Sequence, residues 1–105
     1  MIARVWHGWT KAEDADSYEA HLKPELLPGL SQTNGFIGSY LLRRAVREEV
    51  EFVTVILWDS LEDVRAVAGP DYEKAMIPED RRTYLRRFDA EAAHYEVLTD
   101  CKPSR

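Results

Sequence analysis

Two of the three histidines in this chain stand in strand-like stretches rich in aromatic residues, where an imidazole can do acid–base work. His7 lies in the run RVWHGW, residues 4–9, and His94 in AHYEV, residues 93–97. A histidine titrates near neutral pH, so either one can take a phenolic proton and leave an electron-rich anion able to reduce dioxygen directly. Each position also suits a half-buried histidine hydrogen-bonded to backbone, or, for His94, a structural strand residue. His7 and His94 are the expected catalytic pair of candidates.

A flat organic ligand needs apolar walls and a few polar anchors. Trp6, Trp9 and Trp58 offer large indole surfaces with one donor each, and they equally suit core packing. His21 follows Tyr18 by three residues, so the two share a helix face beside Leu22. Tyr72, just after Gly69-Pro70, sits where a loop can close over a cleft and its hydroxyl can bond an oxygen. The expected ligand-binding set is therefore Trp9, Tyr18, His21, Leu22, Trp58, Val67, Tyr72 and Met76. Arg81, Arg82, Arg86 and Arg87 are flanked by Glu79, Asp80, Asp89 and Glu91, which fits a solvated face with local ion pairs. No H-x-x-x-H or C-x-x-C pair is present, and no metal site is expected. The chain has no G-x-S-x-G elbow, P-loop or G-x-G-x-x-G turn, so hydrolase, kinase and dinucleotide chemistry lose their usual support.

The elements that must position these residues follow from periodicity. Ile2 to Trp9 has strand character and ends where Thr10 and Glu13 form a T-x-x-E capping signal. Ala15, Tyr18, Leu22 and Leu26 recur at helical spacing, with Pro24 expected to end or kink the helix near Lys23. Asn34-Gly35 is turn chemistry that opens a second strand, Phe36 to about Ala45. A charged tip, Val46 to Glu51, leads into a β-branched third strand, Phe52 to Trp58, so the two strands are expected to pair as an antiparallel hairpin. Ser60 and Asp63 cap a helix carrying Leu61, Val64 and Val67 that stops at Gly69-Pro70. A short helical turn over Asp71–Met76, a helix starting at Pro78 with Tyr84, Leu85 and Phe88 on one side, and a last strand Ala92 to Leu98 complete the order.

That order predicts an α+β, ferredoxin-like βαββαβ domain over residues 1–99, with an antiparallel four-stranded sheet, and a polar tail over 100–105. The second and third strands are apolar on both faces, with Phe36, Tyr40 and Leu42 opposed to Ile37 and Leu41. Helices can cover only one of them, so a second copy is expected on the other and the chain should be a homodimer.

Composition sets the remaining bounds. The chain has 105 residues, 14 basic against 19 acidic side chains and a net charge of −5, which disfavours nucleic acid and anionic membrane as partners. Its one cysteine has no partner for an intrachain disulfide. The opening residues lack the pattern of a secretory signal and no apolar run approaches a membrane span, so a soluble cytoplasmic protein is expected.

The segment WDSLEDVRAVAGPDYEKAMIPED, preceded by EFVTVIL and followed later by AHYEVL, resembles the antibiotic biosynthesis monooxygenase family of dimeric α/β barrels. NGF before the second strand also fits, and the resemblance runs from Ile2 to Leu98. Its most specific parts are Trp58-Asp59-Ser60, Ala68-Gly69 and His94-Tyr95-Glu96. The resemblance implies two ferredoxin-like subunits packed sheet against sheet. It also implies a cofactor-independent monooxygenase acting on a phenolic or quinol-like small molecule, with the substrate supplying the electrons and no cofactor required. Haem-degrading members carry a histidine ligand and a tryptophan at positions that correspond here to Ile77 and Val67, which disfavours haem chemistry. The alternative from another class is a non-catalytic dimeric module that binds a small aromatic ligand on the same scaffold.

Overall fold

The computed structural model describes residues 1–26, 29–75 and 77–101. Alternating side chains over the first ten described strand positions give β1 (Ile2–Lys11), followed by a single 3-10 turn and α1 (Ala15–Leu26). The hairpin is formed by β2 (Phe36–Val46) and β3 (Glu49–Trp58), and α2 spans Leu61–Ala68. A short α3 (Glu79–Arg82) precedes β4 (Leu85–Phe88) and β5 (Ala93–Glu96). The sheet is antiparallel in the order β2-β3-β1-β4, with β5 also paired to β1. β4 lies against Gly8–Thr10 and β5 against Ile2–Val5, so two short strands share the fourth position of the ferredoxin-like sheet.

Several local expectations are corrected by packing. Leu85–Phe88 is a strand rather than the continuation of a helix, because β1 has an edge to be satisfied there and Phe88 falls opposite Gly8. Residues 70–73 form turns instead of a helical turn, and Lys74 bridges to Glu91. The hairpin tip is only Arg47 and Glu48, since Glu49 and Glu51 enter the ladder with Arg87 and Arg44 as ion partners. Thr10 does not cap a helix. It is wholly buried in β1 and its hydroxyl donates to the Lys11 carbonyl at 2.9 Å. Pro24 does not end α1 either: the helix runs on to Leu26 because Leu22 and Leu26 are both buried against the sheet. The second capping signal is formed as the sequence suggests, with Ser60 Oγ accepting from the Asp63 amide at 3.2 Å.

The register sorts the sheet into two faces. Val50, Phe52 and Thr54 are buried, and their β1 partners Thr10, Gly8 and Trp6 lie on the same side, under α1. Tyr18 meets Phe52 edge-on at 4.9 Å, the centre of a cluster with Ala15, Leu22, Leu26 and Val50. Such an aromatic pair contributes about 0.5–1.5 kcal/mol beyond its burial. Gly8 is required at this crossing, since a Cβ there would lie 2.8 Å from the Trp6 indole. Among the described residues no helix covers the opposite face. Tyr40 is 61% exposed, Leu42 49% and Tyr95 57%, beside the half-buried Val5, His7, Val53 and Val55.

Candidate functional site

Period two along β1 places Arg4 and Trp6 on the helix-covered face and His7 and Trp9 on the open one. Between that covered face and α1 lies a cavity of about 140 Å³. Its apolar wall comprises Trp6, Leu22, Leu26, Ile56, Ala75 and Ile77. Its polar atoms come from Arg4, Tyr18, Thr54 and Arg81.

Trp6, Arg4 and Arg81 are held by groups outside the lining. Trp6 Nε1 donates to the Asp89 carbonyl at 2.7 Å, which fixes the indole plane across the wall. Arg4 Nη1 donates to the Tyr72 carbonyl at 2.6 Å and to His94 Nε2 at 3.0 Å. Burial lowers the Arg4 pKa, and no carboxylate among the described residues pairs with it. Arg81 reaches back from α3 to Glu25 at 2.7 Å, while its Nε is buried without a hydrogen-bond partner among the described residues. Tyr18 is pushed up to about 12, chiefly by burial, so its phenol is a neutral donor at ordinary pH.

His94 lies outside this lining: it touches the cavity residue Arg4 and itself lines a neighbouring open pocket with Leu61, Tyr72, Glu73 and Glu91. Because a guanidinium only donates, its Nε2 accepts from Arg4 and the ring proton lies on Nδ1. Burial and the Arg4 charge hold its pKa below the usual histidine value, so the ring is neutral at pH 7. The Tyr72 ring stands edge-on to it at 5.1 Å.

His7 belongs to a different place. Its Nδ1 lies 2.7 Å from Asp89 Oδ2, and its ring stacks on Trp9 at 6.0 Å. Trp9 in turn carries the Arg87 guanidinium 4.0 Å above its ring. A carboxylate that accepts from Nδ1 leaves Nε2 as the ring's acceptor in the neutral form, a base oriented by an acid. This dyad faces away from the cavity, so His7 and Tyr72 share no common pocket.

The cavity therefore brings together Tyr18 and Leu22 of the expected set, while His94 and Tyr72 line a neighbouring pocket and are joined to the cavity only by hydrogen bonds from Arg4. Trp9 lies on the open face, Trp58 is buried against Phe36, and Val67 and His21 are exposed. Met76 lies outside the described residues. Arg4, Trp6, Thr54, Ile56 and Arg81 are lining residues that the sequence signals did not single out as a set. The period-two pattern of β1 and β3 contains four of them. Arg81 has no such signal, because only docking of α3 against Glu25 turns it inward.

The residues present do not fit a haem. Ile77 lines the cavity where the family pattern would supply a histidine ligand, and the Tyr18 phenol is held neutral. A volume of about 140 Å³ is also close to that of a cavity known to hold a single benzene ring, at about 150 Å³. Among the described residues no group of three or more His, Cys, Asp or Glu is arranged to hold a metal ion, and no helix is long and apolar enough to cross a membrane.

No family model matches the chain, and no curated protein sequence matches it. Solved structures do. A proposed antibiotic biosynthesis monooxygenase from Bacillus cereus superposes with a TM-score of 0.73 at 18% identity, covering 100% of this chain and 98% of that one. The haem degrader MhuD from Mycobacterium tuberculosis, with two haems bound, gives 0.67 at 18% identity over 97% of this chain and 100% of that one. A variant of SnoaB, a cofactor-independent oxygenase from Streptomyces nogalater, gives 0.61 at 17% identity over 94% and 95%. The chain thus has, over nearly its whole length, the α+β ferredoxin-like fold of the antibiotic biosynthesis monooxygenase structures.

Proposed function

We propose that the protein is a cofactor-independent monooxygenase of the antibiotic biosynthesis monooxygenase family, acting on a phenolic or quinol-like ring seated in the cavity beneath α1. The observation that carries this reading is the cavity itself: an aromatic-walled space of one-ring size on a sheet of this fold, with a neutral imidazole hydrogen-bonded to its lining residue Arg4. Trp6 and Ile56 supply the ring's apolar walls and the Tyr18 hydroxyl a donor to its oxygen. His94 takes the phenolic proton once the ligand draws Arg4 aside. The resulting anion gives its electrons to dioxygen, one oxygen atom forms a C–O bond and the other leaves as water, so a phenol becomes a quinone with no external reductant.

The same reading assigns the open sheet face to a second copy of the chain, closing a barrel from two sheets. Its support is the unpartnered apolar face bearing Tyr40, Leu42 and Tyr95. Dioxygen uptake with a panel of quinols and naphthols tests the activity. Turnover that falls at least tenfold in His94→Gln and persists in His7→Gln supports the assignment. Ligand binding without oxygen consumption supports a binding module instead, and loss only in His7→Gln moves the chemistry to the open face.

A further inference from the structure

The cavity has a charge pattern at odds with the protein as a whole. The chain carries a net charge of −5, yet the lining contains Arg4 and Arg81 and no Asp or Glu. Arg81 is half of an ion pair with Glu25, which stands outside the lining, while Arg4 has no carboxylate partner among the described residues. A half-buried cation hydrogen-bonded to a carbonyl and an imidazole has no counter-charge in direct contact among the described residues. An anion entering this space would recover that desolvation cost, whereas a neutral ligand would leave it standing.

We infer that the cavity selects a monocyclic aryl carboxylate, or a larger aromatic acid that seats one such ring, with the carboxylate compensating Arg4 and the ring against Trp6 and Ile56. This rests on the proposed use of the cavity as the substrate site and names the chemical class that the site takes. The size sets the ring count: about 140 Å³ admits one ring, and any further ring extends through the mouth. Thr54 and Tyr18 remain to bond a phenolic oxygen on the same ring, so a hydroxybenzoate suits Arg4, Thr54 and Tyr18 together.

The pair salicylate and salicylamide tests it, since the two differ little in size and differ in charge. Calorimetric titration of the full chain at pH 7 is expected to show salicylate binding at least tenfold more tightly. Methyl resonances of Ile56 and Ile77 should shift with saturation, placing the ligand in the cavity. Arg4→Met should abolish the preference by weakening salicylate about ten- to hundredfold while leaving salicylamide unchanged, and Arg4→Lys should retain part of it. Equal affinities, binding of neither compound, shifts confined to other residues, or an Arg4→Met variant that weakens both compounds equally would each overturn the inference. Because calorimetry does not depend on turnover, a protein that binds salicylate selectively but consumes no oxygen would sink the monooxygenase reading alone.

Discussion

Arg4 Nη1 lies 3.0 Å from His94 Nε2, across a residue pair that β1 and β5 set opposite each other. The contact ties a cavity cation to an imidazole of the neighbouring pocket, so the state of one is coupled to the state of the other. Protonating His94 would place two cations within hydrogen-bond distance of each other, with only Glu73 opposing that effect.

A stability consequence follows directly. The folded pKa of His94 is depressed below its ordinary 6.5 by burial first and by Arg4 second. Above 6.5 the ring is neutral in both folded and unfolded chains and has no effect. As pH falls below 6.5 the unfolded chain takes up the proton first, so stability declines until the folded value is reached. Urea midpoints measured at pH 7.5 and pH 5.5 should therefore differ less in His94→Gln than in the wild type. An unchanged difference would show that His94 does not contribute to the acid slope.

Tyr18 makes the opposite, alkaline prediction. Its phenol is raised from 10.0 to about 12, with burial the main cause, Arg81 opposing and Glu25 assisting. The neutral phenol's contribution is complete below pH 10 and is lost as pH rises from 10 towards 12. Absorbance titration at alkaline pH should show a late-ionising tyrosine that is missing from Tyr18→Phe. The Tyr18→Ala change, which also removes the contact with Phe52, is expected to cost about 3–5 kcal/mol by analogy with large aromatic truncations.

The sheet and its hairpin were legible because Phe52 to Trp58 is β-branched and bounded by turn chemistry. The site was legible only in part. Residues Arg4, Trp6, His7 and Trp9 all lie within one strand, and which pair faces the helix depends on a register that is fixed by Tyr18 packing on Phe52 far along the chain. Leu85–Phe88 reads as the end of an amphipathic helix because LRRF suits either period. The free edge of β1, a tertiary feature, makes it a strand. Arg81 looked like one of four solvated arginines, and its inward position depends on Glu25 in another helix.

Gly35 joins the two halves of the fold at a point where glycine is required. Its φ of +84° is left-handed, its carbonyl accepts from the Asp59 amide at 2.8 Å, and a Cβ there would collide with the Asp63 carboxyl that helps cap α2. Gly35→Ala should therefore strain the turn and disturb the Ser60–Asp63 cap together, at a cost of about 1–3 kcal/mol. Thermal unfolding measures it. The double variant Gly35→Ala, Asp63→Ala removes the carboxyl part of the collision while the residue-63 Cβ, 2.6 Å away, and the backbone strain remain, so the pair should be less than additive.

The open sheet face supplies the last prediction. Leu42 is 49% exposed on β2, in register with Val53, on the face that no helix among the described residues covers. A contiguous apolar face of this kind is rarely left to water, and an isologous pair buries the same residues from both copies at once. Light scattering of the wild type is expected to give twice the 12.1 kDa chain mass at micromolar concentration. Leu42→Arg puts a cation, and by symmetry its twin, against the opposing apolar surface. The expected result is a particle of 12.1 kDa with an unchanged far-ultraviolet spectrum, since Leu42 makes little contact within its own subunit. A wild type that scatters as a single chain, or a variant that remains paired, would reject the barrel closed by two sheets while leaving the cavity beneath α1 and its arginines intact.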